Sequence, residues 1–366
     1  MRVLLSTTRF AGSLYYRTAE PAEAVQAAGV GVECSTTYGL KTVMAQRPGE
    51  DVLSVREVDA EGADVVVLQL PKTRESLDIL RLLQAQGVAV VVELDDLFRA
   101  VPYGHMAFRT LKTSSINEYV LACAREADLV TVSSAALLEE YAGHGRGAYI
   151  PNAVPRRIAE LPPAYERDPE VVTVGWTGSV PTHPYDLQVM ESGLQQGLDR
   201  TAGRSRFVIL GQAADARTRL HLPEDPVEVP WKQDVDQYLT TMGELFDVGI
   251  APLRLDRFNE CKSWLKVMEY AARGVFALRS PSAEYERLGL GRRAKRPRDW
   301  AAGVAAAVDA PDARREKAAQ DRAVVLERHL TEHTAERWVA AWRQARDNRT
   351  RAQKGLGPRS SLAGVG

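Results

Sequence analysis

The sequence predicts an α/β protein built from two doubly wound parallel-sheet domains. Three observations carry that expectation. Short Val- and Leu-rich runs alternate with longer amphipathic segments almost from end to end. The alternation stops at a polar, proline-bearing stretch near the middle and then restarts. At 366 residues, the chain is also longer than a single core usually fills.

The first series of apolar runs is Val3–Ser6, Asp64–Leu70, Val88–Leu94 and Leu129–Ser133. Runs with so few polar interruptions suit strands covered on both faces. Helical patterns over Thr73–Gln86 and Thr110–Ala127 lie between them, which gives βαβ repetition. A loop at Pro151-Asn152 and the stretch Leu161–Asp168 read as the connection. The second series is Val171–Gly175, Phe207–Gly211, Val227–Val229, Val248–Ala251 and Val275–Arg279. Helical patterns near Tyr185–Leu198, Val235–Leu245 and Lys262–Arg273 separate these strands. The expected division is residues 1–155, residues 156–330, a helix over 331–347 able to cross back to the first domain, and a disordered tail over 348–366. Two such arrays leave a cleft, the usual place for a ligand.

Composition narrows the function. A net charge of -1 argues against nucleic acid as the main partner, because phosphate neutralisation needs a basic surface. Cys34, Cys123 and Cys261 are scattered and odd in number, so neither a disulfide framework nor a zinc knuckle is written here. No apolar window is long enough to span a membrane, and the opening residues read as a first strand rather than a leader. The expected location is cytoplasmic. A nicotinamide-dependent dehydrogenase is disfavoured, since Gly29-Val30-Gly31 follows a helical pattern instead of opening one.

Three segments carry a resemblance. Ala127–Ser134 with Tyr149–Val154 looks like a last N-domain strand and its Pro-Asn loop. Val174–Ser179 with Thr182–Leu187 looks like the loop after a first C-domain strand. Asp247–Leu253 with Phe258-Asn259 and Lys262–Ala271 looks like a donor-binding helix. Together they resemble the GT-B glycosyltransferases of the group-1, or family-4, type. The resemblance implies two Rossmann-like domains facing a cleft, with C-terminal helices packing back. It implies a nucleotide-diphosphate sugar donor, a hydroxyl acceptor, retaining transfer, and no metal or other cofactor. A sugar-nucleotide epimerase or hydrolase of the same architecture, or a non-catalytic nucleotide-sugar binder, are the alternatives. Oligomeric state is not legible.

Candidate residues follow. At the start of the Lys262 segment, free backbone N–H groups and a helix dipole suit a diphosphate, with Lys262 and Lys266 adding charge and Ser263 a hydroxyl. The resemblance gives Glu269 the two ribose hydroxyls. It also places a first carboxylate of a Glu-x7-Glu pair at Cys261, beside Glu260. Gly178 permits close backbone approach, and Ser179 and His183 stand where relatives often carry Arg and Lys. In the first domain Asp95 and Asp96 end a strand and can orient or deprotonate an acceptor hydroxyl, with His105 as an acceptor-side base. Gly12, Ser13 and Arg17 lie in the first loop, where Arg17 is expected to meet phosphate or an anionic acceptor. Trp231 is expected to be a buried packing residue. The basic run Arg292, Arg293, Lys295 and Arg296 is expected to be a solvated edge, with peripheral contact to an anionic membrane as the sharper alternative.

Overall fold

The structure, a computed structural model, describes residues 1–46 and 53–357. It divides into two compact units. The first comprises Met1–Ala100, Thr110–Asn152 and Thr331–Gly366; the second comprises Val101–Arg109 and Ala153–Leu330.

In the first unit the strands are β1 (Arg2–Ser6), β2 (Glu33–Thr37), β3 (Thr42–Gln46), β4 (Leu53–Val58), β5 (Val65–Gln69), β6 (Ala89–Leu94), β7 (Leu129–Val132) and β8 (Gly147–Tyr149). Six of them make a parallel sheet in the order β2-β1-β5-β6-β7-β8, while β3 and β4 pair antiparallel. Every residue of β5, β6 and β7 is buried, as their unbroken apolar runs demand. β2, Glu-Cys-Ser-Thr-Thr, carries no apolar run, and β3 has only three apolar residues and is exposed throughout, so neither is expected from the sequence. The strand order reverses between β1 and β5, where a doubly wound sheet opens a crevice at its carboxyl edge. Thr73 caps the helix Arg74–Ala85 by accepting the Ser76 amide. The single helix expected over Thr110–Ala127 is two, Phe108–Thr113 and Ile116–Glu126. Ser114 and Ser115 at the break are residues whose short hydroxyls compete for backbone hydrogen bonds.

The last helix, Ala335–Gln353, completes this core with Trp338 and Trp342, which pack among Val3, Leu5 and Val65. Truncating either tryptophan to alanine is expected to cost about 3–5 kcal/mol. The expectation of a tail from residue 348 is corrected for the first of its residues: the helix continues to Gln353, and Asn348 is buried and donates to the Asp128 carbonyl at 2.9 Å. The rest of that expectation, residues 358–366, lies outside the described residues.

In the second unit the strands are β9 (Val172–Ser179), β10 (Ser205–Gln212), β11 (Val227–Val229), β12 (Val248–Ala251), β13 (Phe276–Arg279) and β14 (Arg292–Arg293). They form one parallel sheet in the order β11-β10-β9-β12-β13-β14, the 3-2-1-4-5-6 order of a Rossmann-like domain. The order reverses between β9 and β12. β9 pairs with β10 along its whole length, from Val172↔Ser205 to Ser179↔Gln212. With β12 it pairs only at Val174 and Gly175. Beyond Gly175, its carboxyl end is therefore open on the β12 side. Gly178 and Gly211 make that end possible: both have φ near +140°, and a side chain on Gly211 would lie 2.0 Å from the Gly178 carbonyl oxygen.

The helix expected from Tyr185 is displaced. Short 3-10 turns occupy Val180–Thr182 and Leu187–Met190, and the α-helix begins only at Gly193. Pro184 and the Asp186 side chain, recruited elsewhere, leave no capped start. The Lys262 segment likewise becomes helical only at Leu265, so Lys262 and Ser263 sit in the turn before it.

Candidate donor site in the second unit

The open end of β9 gathers basic groups. Lys266, in the first turn of the helix Leu265–Ala272, donates to the Thr177 carbonyl at 2.8 Å and lies 4.7 Å from the centroid of Trp176. Thr177 lies beyond the β12 pairing, which leaves its carbonyl available for the ammonium. Burial pushes Lys266 down to about 8, although Asp186 and Glu269 pull the other way. Lys262 adds a like charge nearby and lies over the Phe258 ring. The helix start has no side-chain cap. A desolvated lysine beside a second lysine and an uncapped helix start is a site short of negative charge.

His183 sits against this group. Its ring meets Trp176 edge-on, and its Nδ1 is 2.8 Å from Asp186 Oδ2. Burial holds His183 below its ordinary pKa despite the carboxylate, with Lys266 and Lys262 lowering it further. Asp186 is fixed in turn, its Oδ1 accepting from Asn259 Nδ2 at 2.7 Å and from the Arg254 amide at 3.0 Å. Burial works against its charge, but His183 and the Arg254 amide hold it below the usual carboxylate range. Ser179 Oγ donates to Gln212 Oε1 at 2.8 Å, so its hydroxyl is engaged within the sheet edge.

Glu269, three residues after Lys266, is buried, and its Oε2 accepts from the Tyr238 hydroxyl at 2.9 Å. Burial and then the Glu269 charge keep Tyr238 a phenol, hence a donor. Tyr238 stacks on Trp231, with centroids 4.8 Å apart and planes 29° from parallel. Trp231 is 45% exposed. The expectation of a buried packing role is therefore corrected: Pro230 and the end of short β11 leave one flank of the indole in solvent. An exposed ring, a phenol and a carboxylate stand in line. Asp186 and Asn259 lie in the segments that carry the resemblance, but nothing local showed that they bond to each other; Tyr238 carried no signal beyond an ordinary helix residue.

His105 belongs to the second unit by its contacts. Its Nδ1 accepts the Ala107 amide at 3.0 Å, and its ring meets Phe258 edge-on at 5.9 Å, the ring under Lys262. Cys261 is buried. Arg292 and Arg293 form the exposed edge strand β14, with Glu286 pairing Arg293 and Asp299 accepting the Lys295 and Arg296 amides.

The first unit holds the remaining candidates. Asp95 and Asp96 follow β6 and are half-buried, and both act electrostatically on Lys72, which lies between the rings of Phe10 and Phe98. Lys72 was not anticipated. Gly12 has open space around it, and Ser13 is anchored by Gln69, which donates to its carbonyl at 2.7 Å. Arg17 does not face a ligand. It is 1% exposed, and it donates to Glu93 at 2.6 Å, to the Ile150 carbonyl at 2.7 Å and to Asn152 at 2.9 Å. A carboxylate buried at the end of β6 needs a cation, and Arg17 supplies it.

Residues 194–340 match the family described as Glycosyl transferase-like. No curated protein matches the chain by sequence. Solved structures do. HepE from Anabaena, in complex with UDP, has a TM-score of 0.57 at 14% identity over 93% of this chain and 99% of that one. The E. coli trehalose-6-phosphate structure bound with UDP-2-fluoro glucose has a TM-score of 0.55 at 14% identity, over 95% and 99%. An S. aureus TarM mutant in complex with Fondaparinux, alpha-GlcNAc-glycerol and UDP has a TM-score of 0.51 at 15% identity over 69% of this chain and 50% of that one. The chain thus spans about half the length of the TarM structures. At such identities the likeness is one of fold. The chain therefore has the GT-B fold, and residues 194–340 are similar to the family described as Glycosyl transferase-like.

Proposed function

We propose that the protein transfers a sugar from a nucleoside-diphosphate sugar to a hydroxyl acceptor, with the donor held by the second unit. The observation that carries this reading is the double row of groups at the open end of β9. Lys262, Lys266 and His183 supply charge for a diphosphate, and the Trp231–Tyr238–Glu269 line suits a base and a ribose. Gly178 lets backbone approach the phosphates. The leaving diphosphate is stabilised by these cations without a metal, since electrostatic groups already in place need no reorganisation as charge develops. UDP is the first donor base to test, being the nucleotide bound in the structural neighbours. Asp95 and Asp96 are the acceptor-side groups of the first unit, and the transfer is read as retaining.

The buried Cys261, where the resemblance puts a first carboxylate, favours one second reading: a protein that binds the nucleotide sugar without turnover. Product analysis with and without acceptor separates the two.

The test of the donor site is a thermal-shift screen of UDP, GDP, ADP, CDP and TDP on the wild type and on Glu269→Ala. A ligand at about one hundred times its Kd stabilises the folded state by about 2.7 kcal/mol. One nucleotide should raise the wild-type melting temperature and lose most of that effect in the variant. No shift from any of them overturns the reading.

A further inference from the structure

Asp186 receives three donors: His183 Nδ1 at 2.8 Å on Oδ2, and Asn259 Nδ2 at 2.7 Å and the Arg254 amide at 3.0 Å on Oδ1. An ionised carboxylate can only accept, so the hydrogen between it and the imidazole belongs to Nδ1. The other ring nitrogen, Nε2, makes no hydrogen bond among the described residues. The adjoining Cδ2 faces Gly178, 3.5 Å from where a side chain on that glycine would begin. In a neutral ring of this tautomer Nε2 is an acceptor. A phosphate oxygen is an acceptor too, so the two cannot bond until another proton arrives.

Resting on the donor reading above, we propose that binding of the nucleoside diphosphate is coupled to uptake of one proton by His183. Asp186 is the positioning residue that fixes the tautomer, and Asn259 holds Asp186. The charged groups facing the ring are Asp186 on its own segment, and Lys262 and Lys266 from the helix Leu265–Ala272 and the turn before it. Nearby charges are engaged elsewhere: Arg219 with Asp215 and the Pro184 carbonyl, and Arg254 with Asp256 and the Tyr185 ring. Burial and the two lysines keep the empty ring neutral near physiological pH. A multiply charged diphosphate reverses that balance and raises the pKa of the ring. Between the lowered value of the empty site and the raised value of the filled one, affinity falls as pH rises, by at most about tenfold per pH unit. Loss of the same proton then favours release of the spent nucleotide.

Calorimetric titration of the full chain with UDP at about pH 7.5, in buffers of different ionisation enthalpy, counts the protons; the terminal phosphate of UDP, with a pKa of about 6, is mostly ionised there and contributes equally to every variant. The wild type should take up close to one proton. His183→Gln should take up only about a quarter of a proton, the fraction that Lys266, held at about 8, lacks at that pH, and bind about 10- to 100-fold more weakly. Asp186→Asn should flatten the pH dependence of affinity, with Asn259→Ala moving it less. In the wild type, imidazole NMR should show the His183 ring moving to its imidazolium shift on addition of UDP, which keeps the test independent of any variant's folding. Binding without proton uptake, an unmoved imidazole, or a wild-type proton count in His183→Gln overturns the coupling. Failure of UDP, GDP, ADP, CDP and TDP all to bind overturns the donor reading, and the coupling with it.

Discussion

Replacing Lys266 with methionine should stabilise the empty protein while weakening nucleotide binding. The ammonium is held at about 8 against an ordinary value of 10.5. At roughly 1.4 kcal/mol per pK unit, that shift corresponds to a folding penalty of about 3 kcal/mol near neutral pH. The lost hydrogen bond to the Thr177 carbonyl returns about 1 kcal/mol of it. Methionine keeps the unbranched stem over Trp176. The net gain should be about 1–2 kcal/mol, a rise in melting temperature of a few degrees. The pH dependence has a definite sign. Below about 8 the lysine is charged in both folded and unfolded chains, and the penalty is complete. From there to 10.5 the folded chain sheds its proton first, so the wild type gains on the variant as pH rises and overtakes it by about 1 kcal/mol above that range, where only the Thr177 hydrogen bond still distinguishes them. The assay is urea denaturation of both proteins across this range, with UDP titration alongside. A variant less stable than the wild type at neutral pH, or one that binds nucleotide equally well, refutes the claim that Lys266 is kept at a cost for an anion.

Three other outcomes follow from named contacts. Arg17→Met strands Glu93, whose carboxyl burial already pushes up to about 7, and should cost about 3–5 kcal/mol; adding Glu93→Gln should recover most of it, as denaturant midpoints will show. Trp231→Ala should weaken nucleotide binding by about 1–3 kcal/mol, the range of a base stacked on an aromatic ring, with little change in the denaturation midpoint because the indole is half in solvent. Gly211→Ala puts a methyl group against the Gly178 carbonyl and forces a positive φ on a side-chain-bearing residue, so it should distort the end of β9 and abolish nucleotide-induced thermal shifts even in protein that remains folded.

The parts of the fold that could be read from sequence are those where one interaction dominates. The runs at Val65–Gln69, Ala89–Leu94 and Val248–Ala251 are apolar because both faces are covered, and nothing competes with that signal. The polar strand Glu33–Thr37 is a strand only because β1 offers it a ladder, a tertiary fact with no local trace. The helix that carries Lys266 and Glu269 was legible because its apolar pattern is local, although it begins at Leu265 and leaves Lys262 in the preceding turn. The pairing of Asp186 with Asn259 and of Tyr238 with Glu269 was not, since each joins partners distant in the chain. Arg17 was misread for the converse reason. Its place in the first loop suggested a phosphate or an anionic acceptor as its partner, but the need to neutralise Glu93 is visible only once β6 is seen to bury that carboxylate. Trp231 shows that residue type alone is a poor guide to burial at a strand end.

A crystal structure of the chain with UDP bound tests the donor assignment most directly. Ribose hydroxyls on the Glu269 carboxylate, phosphate oxygens among Lys262, Lys266 and His183, and the base against Trp231 are the predicted result. A nucleotide seated elsewhere, with Glu269 bonded to Tyr238 and touching no ligand atom, would contradict it.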